Sequence, residues 1–322
     1  MSSSARRTLV YRPLRRSDSA KYIELLLESM GEFEQETGIG DGAEAAIRSL
    51  FRLPIWWVVK FLSGIGRPVA DIVVAASDGT IAGTGMILWT RNTAYVAGMA
   101  TRPEFRGQGV AAEVLARLGV EARRRKRPYL ALDVESANET AIRVYRRAGY
   151  QEVAEFSWFT RAGLPPISGA NPGGTRPMRR SDQENIVTHL DAARPPLYRA
   201  AFPSSPKLLD HNEFTIRAPR IRHSTWVKRT TNGTDCVARA YFSPRKKWGT
   251  ILLRTGTPEP PPEELASLLD AATSWLAPLR PSHCLAPVSE PPGAVTAALV
   301  RAGFSRAVGT KTMVRETPGG AA

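Results

Sequence analysis

Residues 94–111 read Ala94-Tyr95-Val96-Ala97-Gly98-Met99-Ala100-Thr101-Arg102-Pro103-Glu104-Phe105-Arg106-Gly107-Gln108-Gly109-Val110-Ala111. The apolar run from Tyr95 to Ala100 predicts a strand, and Arg102 to Phe105 predicts a turn. Arg106-Gly107-Gln108-Gly109 then opens the helical pattern that continues through Val114, Leu115 and Leu118. Two glycines in a tight strand-to-helix turn let backbone N–H groups converge on one point. The helix start adds N–H groups without intrahelical partners and the positive end of the helix dipole. With Arg106 nearby, the stretch is a candidate phosphate cradle. A nucleoside-triphosphate loop would require a Lys-Ser/Thr pair after its last glycine, and a dinucleotide loop would require a third glycine; neither is present. Taken alone, the loop reads equally well as an ordinary glycine-containing helix start.

The flanking sequence alternates strands and helices. Residues 72–76 and 81–88 predict two strands around an Asp78-Gly79 hairpin turn. Residues 129–134 form a nearly all-apolar run, as expected of a strand buried on both faces. Asn138 to Arg147 predicts a helix that Gly149 terminates, and a further strand pattern runs from Glu152 to Thr160. Upstream, Tyr11 to Asp18 predicts a first strand, with Ser17 or Asp18 capping a helix that carries Tyr22, Leu25 and Leu26 on one face. A second helix is expected from Ala43 to Phe51, followed by the aromatic stretch Trp56 to Leu62.

Two motifs in this order resemble the GNAT N-acetyltransferase superfamily. Arg106, Gly109 and Ala111 stand at the defining positions of its R-x-x-G-x-G/A pyrophosphate loop. Asn138-Glu139-Thr140-Ala141-Ile142-Arg143-Val144-Tyr145, followed by Gly149-Tyr150, resembles its N-x-x-A-x-x-x-Y…G-F/Y segment. The resemblance covers about residues 8–162 and implies an α/β (α+β) fold with a mixed, mostly antiparallel central sheet flanked by helices. It implies acetyl-CoA as co-substrate and an amine as acceptor.

The composition changes at residues 163–174, which are rich in Pro, Gly and Ser and predict a linker. Beyond it the chain repeats itself. Arg12-Pro13-Leu14-Arg15-Arg16-Ser17-Asp18 recurs as Arg176-Pro177-Met178-Arg179-Arg180-Ser181-Asp182, and Arg147-Ala148-Gly149-Tyr150 recurs as Arg301-Ala302-Gly303-Phe304. The expected organisation is a first domain at 1–162, a linker at 163–175 and a degenerate second copy at 176–322, so that the fold occurs twice in tandem. Aligning the two endings sets Asp133, Asn138 and Tyr145 opposite Pro287, Pro292 and Leu299. The proline- and glutamate-rich stretch 256–264 stands where the phosphate loop should be. Prolines remove N–H donors and glutamates repel phosphate, so the second copy is not expected to hold the nucleotide.

Composition narrows the classes further. The 322 residues suit two domains, and 44 Lys+Arg against 30 Asp+Glu give a formal charge of +14. The basic residues are scattered apart from 123–127, so nucleic acid is the less favoured partner. Cys236 and Cys284 are the only cysteines, which suggests neither a disulfide framework nor a zinc site; no metal is expected. The N-terminal residues carry no secretory pattern and no apolar stretch is long enough for a bilayer. The expectation is a cytoplasmic protein without membrane contact, with a homodimer left open.

Acetyl transfer needs an anchored donor, a neutral amine, a stabilised oxyanion and an acid for the departing thiolate. The resemblance assigns the pyrophosphate to Arg106, Gly107, Gln108, Gly109, Val110 and Ala111. It assigns the pantetheine arm to the backbone of Met99 and Thr101, with Asn138 touching the arm or an ordered water as well as capping its helix. It makes Tyr145 the general acid. Many family members carry a glutamate base on the strand before the loop, where this chain has no carboxylate. Those resembling the bacterial ribosomal-protein alanine acetyltransferase carry it twelve residues before the tyrosine, which here is Asp133, with Glu135 as the alternative. Glu32, Glu34, Glu36, Trp56 and Trp57 are candidates for the acceptor pocket, although a solvated loop and a core helix explain them as well. A non-catalytic CoA-binding or nucleic-acid-associated regulator is the competing function.

Overall fold

The computed structural model describes residues 8–29, 70–77, 79–90, 92–164, 174–192, 194–204, 221–229, 235–244, 247–255, 262–289 and 293–317. The expected helix at 43–51, the aromatic stretch at 56–62 and the acceptor candidates Glu32, Glu34, Glu36, Trp56 and Trp57 lie outside the described residues. So do residues 256–261 and Pro292.

The chain divides into two compact units, and the division does not follow the linker. The first unit comprises residues 1–152 and 312–322, the second residues 153–311. The strand expected to close the first copy therefore belongs to the second unit, and the end of the chain belongs to the first.

In the first unit the strands are β1 (Val10–Pro13), β2 (Ala70–Ser77), β3 (Thr80–Trp89), β4 (Thr93–Thr101) and β5 (Tyr129–Glu135). They lie in that order, with the end of β12 (Ser305–Glu316) beyond β5. The pairs β1/β2, β2/β3 and β3/β4 are antiparallel. The pair β4/β5 is parallel, which requires a crossover, and the long helix α2 (Val110–Arg124) supplies it. Its apolar stripe of Val110, Val114, Leu115 and Leu118 packs on one face of the sheet with α3 (Glu139–Arg147). On the other face Tyr22, Ile23, Leu25 and Leu26 of α1 (Ser19–Glu28) pack on Val74, Ile81 and Ala100. Gly83 and Gly85 of β3 let α2 come close: a Cβ on Gly83 would lie 2.6 Å from Val110 Cγ1, and one on Gly85 would lie 2.9 Å from Val114 Cγ1.

The second unit repeats this plan. Its strands run β7 (Arg176–Pro177), β8 (Arg222–Arg229), β9 (Asp235–Ser243), β10 (Trp248–Thr255) and β11 (His283–Ser289), with β6 (Gln151–Ala162) beyond β11. Again only the fourth and fifth strands are parallel to each other. Its helices are α4 (Gln183–Ala192), α5 (Pro196–Ala201), α6 (Pro262–Leu276) and α7 (Ala294–Arg301). Each copy thus has a last strand with the same place in a sheet, and the two last strands are exchanged between the units.

The repeated RP[LM]RRSD motif has one structure in both copies. Arg12 holds the Asp18 carboxylate with Nη1 and Nη2 at 2.6 and 3.0 Å, and the Arg15 N–H donates to it at 2.8 Å. Arg176 holds Asp182 at 2.7 Å with both nitrogens, again with a backbone N–H, that of Arg179. This corrects one sequence expectation. Asp18 stands at the N-cap of α1 but its carboxylate makes no cap hydrogen bond to that helix; it serves Arg12 and caps the preceding 3₁₀ turn through the Arg15 N–H. The fork-on-carboxylate geometry supplies two charge-assisted hydrogen bonds where a cap would supply one.

The helix endings also repeat. Gly149 and Gly303 adopt φ of +86° and +81°, and the following N–H reaches back to Tyr145 O in one copy and to Leu299 O in the other, both at 3.0 Å. Leu299 therefore occupies the place of Tyr145 in the second unit, fully buried.

Candidate active site

The site is built where two strands part. β4 and β5 pair only from Thr93↔Tyr129 to Tyr95↔Ala131, yet β4 continues to Thr101 and β5 to Glu135. Beyond Tyr95 the edges of both strands carry backbone groups without the other strand as partner. An extended chain of amides can hydrogen-bond there as an added strand would. β4 is bent at this point. Thr84 faces Ala100 but Met86 faces Ala97, so Gly98 and Met99 together oppose Gly85 in a β-bulge. Gly98 makes the bend at φ +58°, a conformation few other residues adopt without cost. The bulge leaves Gly98 exposed and Met99 and Thr101 half-buried.

The candidate phosphate cradle lies just past the end of β4. A single 3₁₀ turn at Pro103–Phe105, anchored by buried Phe105, leads into Arg106. Gly107 and Gly109 take φ of +73° and +81°, and among the described residues a Cβ on either would meet nothing within 4 Å. Gly109 is the N-cap of α2, and with no side chain it leaves the first N–H groups of the helix without a side-chain cap. Gln108 turns away to Glu104 O at 2.9 Å, and Arg106 braces the loop through Nε to Thr101 O at 3.3 Å. Val110 is buried and Ala111 half-buried. Arg102 stiffens the approach. It donates to Ile81 O at 3.1 Å and pairs with Glu24 and Glu28 of α1 at 3.1 and 3.0 Å. The sequence reading took Arg102 only as a turn residue.

Tyr145 stands on α3. Asn138 caps that helix, its Oδ1 accepting from Ala141 N at 3.0 Å, as the sequence reading expects. Tyr145 is 7% exposed, with its ring 6.0 Å from that of Tyr150. Burial pushes its phenol up to about 12, so it stays protonated through the neutral range and can act as a donor. The C-terminal segment braces this helix: Arg315 donates to Ala148 O at 2.9 Å, and its guanidinium lies 5.2 Å from the centre of the Tyr150 ring.

Asp133 and Glu135 are half-buried on β5. Strand alternation puts them on the sheet face opposite Leu132 and Val134, which pack in the α2/α3 core. Both oxygens of Asp133 are engaged. Oδ2 accepts from the Tyr95 hydroxyl at 2.7 Å and Oδ1 from the Thr312 hydroxyl at 2.6 Å. These two donors are the site residues that the sequence reading missed. Tyr95 opens the strand expected to carry the pantetheine arm, and no local pattern assigns a role to its hydroxyl. Thr312 gave no signal, since it lies 179 residues away. Among the described residues no group of three or more His, Cys, Asp or Glu side chains could hold a metal ion, and no helix is long and apolar enough to cross a membrane.

In the second unit the corresponding place is filled. β10 and β11 pair only from Trp248↔His283 to Thr250↔Leu285 and then part. β10 pairs with β9 through all eight residues with no bulge. The Arg254 guanidinium, on a residue 8% exposed, donates to Leu253 O at 2.8 Å and across the parting to Pro287 O at 3.1 Å.

Parted parallel strands, a bulged inner edge and a glycine-opened helix start occur together in the first unit. Residues 41–150 match the sequence model of the Acetyltransferase (GNAT) family, so this stretch of the first unit is similar in sequence to that family's acetyltransferases. The whole chain is similar in fold to a GCN5-related N-acetyltransferase from Sphaerobacter thermophilus, at 16% identity over 96% of both chains with a TM-score of 0.57. It is similar also to a tandem GNAT protein from the clavulanic acid biosynthesis pathway, at 14% identity over 96% of this chain and 99% of that one, TM-score 0.54. At these identities the likeness speaks to fold: a GNAT fold in tandem. No curated protein sequence matches the chain.

Proposed function

We propose that the first unit transfers the acetyl group of acetyl-CoA directly to a primary amine, either a small molecule or a protein α-amine or lysine. The observation that carries this reading is the parting of β4 and β5 beside an uncapped, glycine-opened helix start. The loop 106–111 would take the pyrophosphate on its N–H groups, and the edges of the parting would pair with the pantetheine amides. The amine lone pair attacks the thioester carbonyl carbon, a C–N bond forms and the C–S bond breaks. The amine proton passes to the Asp133 carboxylate, directly or through water, and the departing sulfur takes the Tyr145 proton. Glu135, two residues along the same face, is the alternative base. Proton exchange with water resets both groups, and the products are the acetylated amine and free CoA.

The second unit is read as a copy that has lost the nucleotide. Arg254 occupies its strand parting, Pro287 has no N–H to offer an arm, and Leu299 has no hydroxyl. A screen of amine acceptors with acetyl-CoA, followed as release of free thiol, tests the proposal. Amine-dependent release is expected. Acetyl-CoA binding without release for any amine would favour a non-catalytic CoA-binding protein.

A further inference from the structure

The end of the chain carries a second role for the C-terminal half. Thr312 is fully buried on β12 and belongs with the first unit. Its hydroxyl donates to Asp133 Oδ1 at 2.6 Å while Tyr95 donates to Oδ2 at 2.7 Å. These lengths are those of hydroxyl-to-carboxylate bonds strengthened by the charge on the acceptor. A carboxylate held at one oxygen can still rotate about its Cβ–Cγ bond. Held at both, from two different strands, its plane is fixed. Three further links show that the segment is seated in this unit: Met313 is in the α2/α3 core, Arg315 donates to Ala148 O, and Thr317 N donates to Pro128 O at 2.8 Å.

We propose that Thr312 and Tyr95 are positioning residues that clamp Asp133 in one orientation toward the acceptor amine. The acetyl-transferring site is then completed by a residue from the last strand of the chain. The inference rests on the function proposed above and deepens it. The transfer step is the one already written: the amine proton goes to Asp133, the C–N bond forms as the C–S bond breaks, and the thiolate is protonated by Tyr145. A clamped carboxylate needs no reorientation as that proton moves, and this is what the two hydroxyls contribute. A carboxylate oxygen has two lone-pair sites, so accepting one hydroxyl does not by itself exclude an N–H.

The test uses the full chain and compares Thr312→Val, Thr312→Ser and Tyr95→Phe with the parent. Valine keeps the branched shape of threonine and loses the hydroxyl; serine keeps the hydroxyl and loses the methyl group. For each protein kcat, the KM of the amine and the dissociation constant of acetyl-CoA are measured. The expected result is a fall in kcat of about tenfold or more for Thr312→Val and Tyr95→Phe. Thr312→Ser should stay within about threefold of the parent, and acetyl-CoA affinity should be unchanged throughout. Serine as damaging as valine would show that Thr312 matters for packing and would overturn the proposal, as would a Thr312→Val enzyme with parental kcat. A parent that transfers acetyl to no amine would overturn the function on which the proposal rests, an outcome distinct from an active parent with indifferent variants.

Discussion

Arg254 donates to the carbonyl of Pro287 at 3.1 Å, across the gap where the fourth and fifth strands of the second unit part. In the first unit β4 and β5 part at the same place, and there the Tyr95 hydroxyl reaches across to Asp133 at 2.7 Å. On the proposed function, the Arg254 side chain takes in one copy the place that an extended ligand takes in the other. The account therefore predicts one acetyl-CoA per chain. Titration calorimetry reads this directly: a stoichiometry near one is expected, and two would mean that the second unit has kept its site.

The cradle itself is testable at Gly109, whose φ of +81° disfavours any side chain. Gly109→Asp adds strain and a negative charge where phosphate must approach backbone. Acetyl-CoA binding should be lost, with the protein still folded by circular dichroism. Parental affinity would reduce the loop to an ordinary helix start.

Because residues 312–317 are seated in the first unit, a chain cut after residue 162 should lose acetyl transfer although it keeps the loop, Tyr145 and Asp133. Such a fragment lacks Thr312, Met313 and Arg315, and Met313 is a fully buried core residue. The comparison is activity and thermal midpoint against the full chain. A fully active, equally stable fragment would show that the exchanged strand is dispensable.

Acid should weaken the second unit through Asp182. Its hydrogen bonds to Arg176, helped by the N–H of Arg179, hold the carboxyl down at about 2. A depressed folded-state value contributes stability above the unfolded value of about 3.9, and this is lost as pH falls from there through 2. Asp182→Asn should remove that part of the acid dependence and cost about 1 kcal/mol at neutral pH, the pair being partly exposed. Urea titrations of parent and variant at pH 7 and pH 3 check the sign: the gap between the two proteins should narrow at pH 3.

The elements nearest the chemistry were legible because their ends are written locally. Asn138 and Gly149 bracket α3, and Gly107 and Gly109 open α2, through capping and backbone preferences that need no tertiary context. The repeat was legible because Arg12 and Asp18 recur with their spacing intact at Arg176 and Asp182. The exchange of last strands was not. β6 and β12 have nearly the same length and burial pattern, so each suits either sheet, and local sequence does not say which. The partners of Asp133 were hidden for the same reason: Thr312 reaches it only through that exchange. The sequence leads one to expect Ser17 or Asp18 to cap α1; Asp18 does not, because a helix cap and a bidentate arginine compete for the same carboxylate, and the sequence does not rank them. The bulge at Gly98 depends on the register of β4 against β3, a long-range property.

The most direct test of acetyl transfer at this site is the turnover number of Tyr145→Phe. Phenylalanine keeps the ring that packs near Tyr150 and removes only the hydroxyl. The phenol, pushed up to about 12 by burial, is protonated at every pH below that value, so the parent should keep its acid across the neutral range and lose it only as pH approaches 12. General-acid help of this kind is typically worth about 10²–10⁴-fold. The account predicts that, with a saturating amine, Tyr145→Phe releases thiol from acetyl-CoA slower than the parent by a factor in that range, with the acetyl-CoA dissociation constant nearly unchanged. Turnover within about threefold of the parent, well short of that gain, would make Tyr145 a core residue and contradict the mechanism.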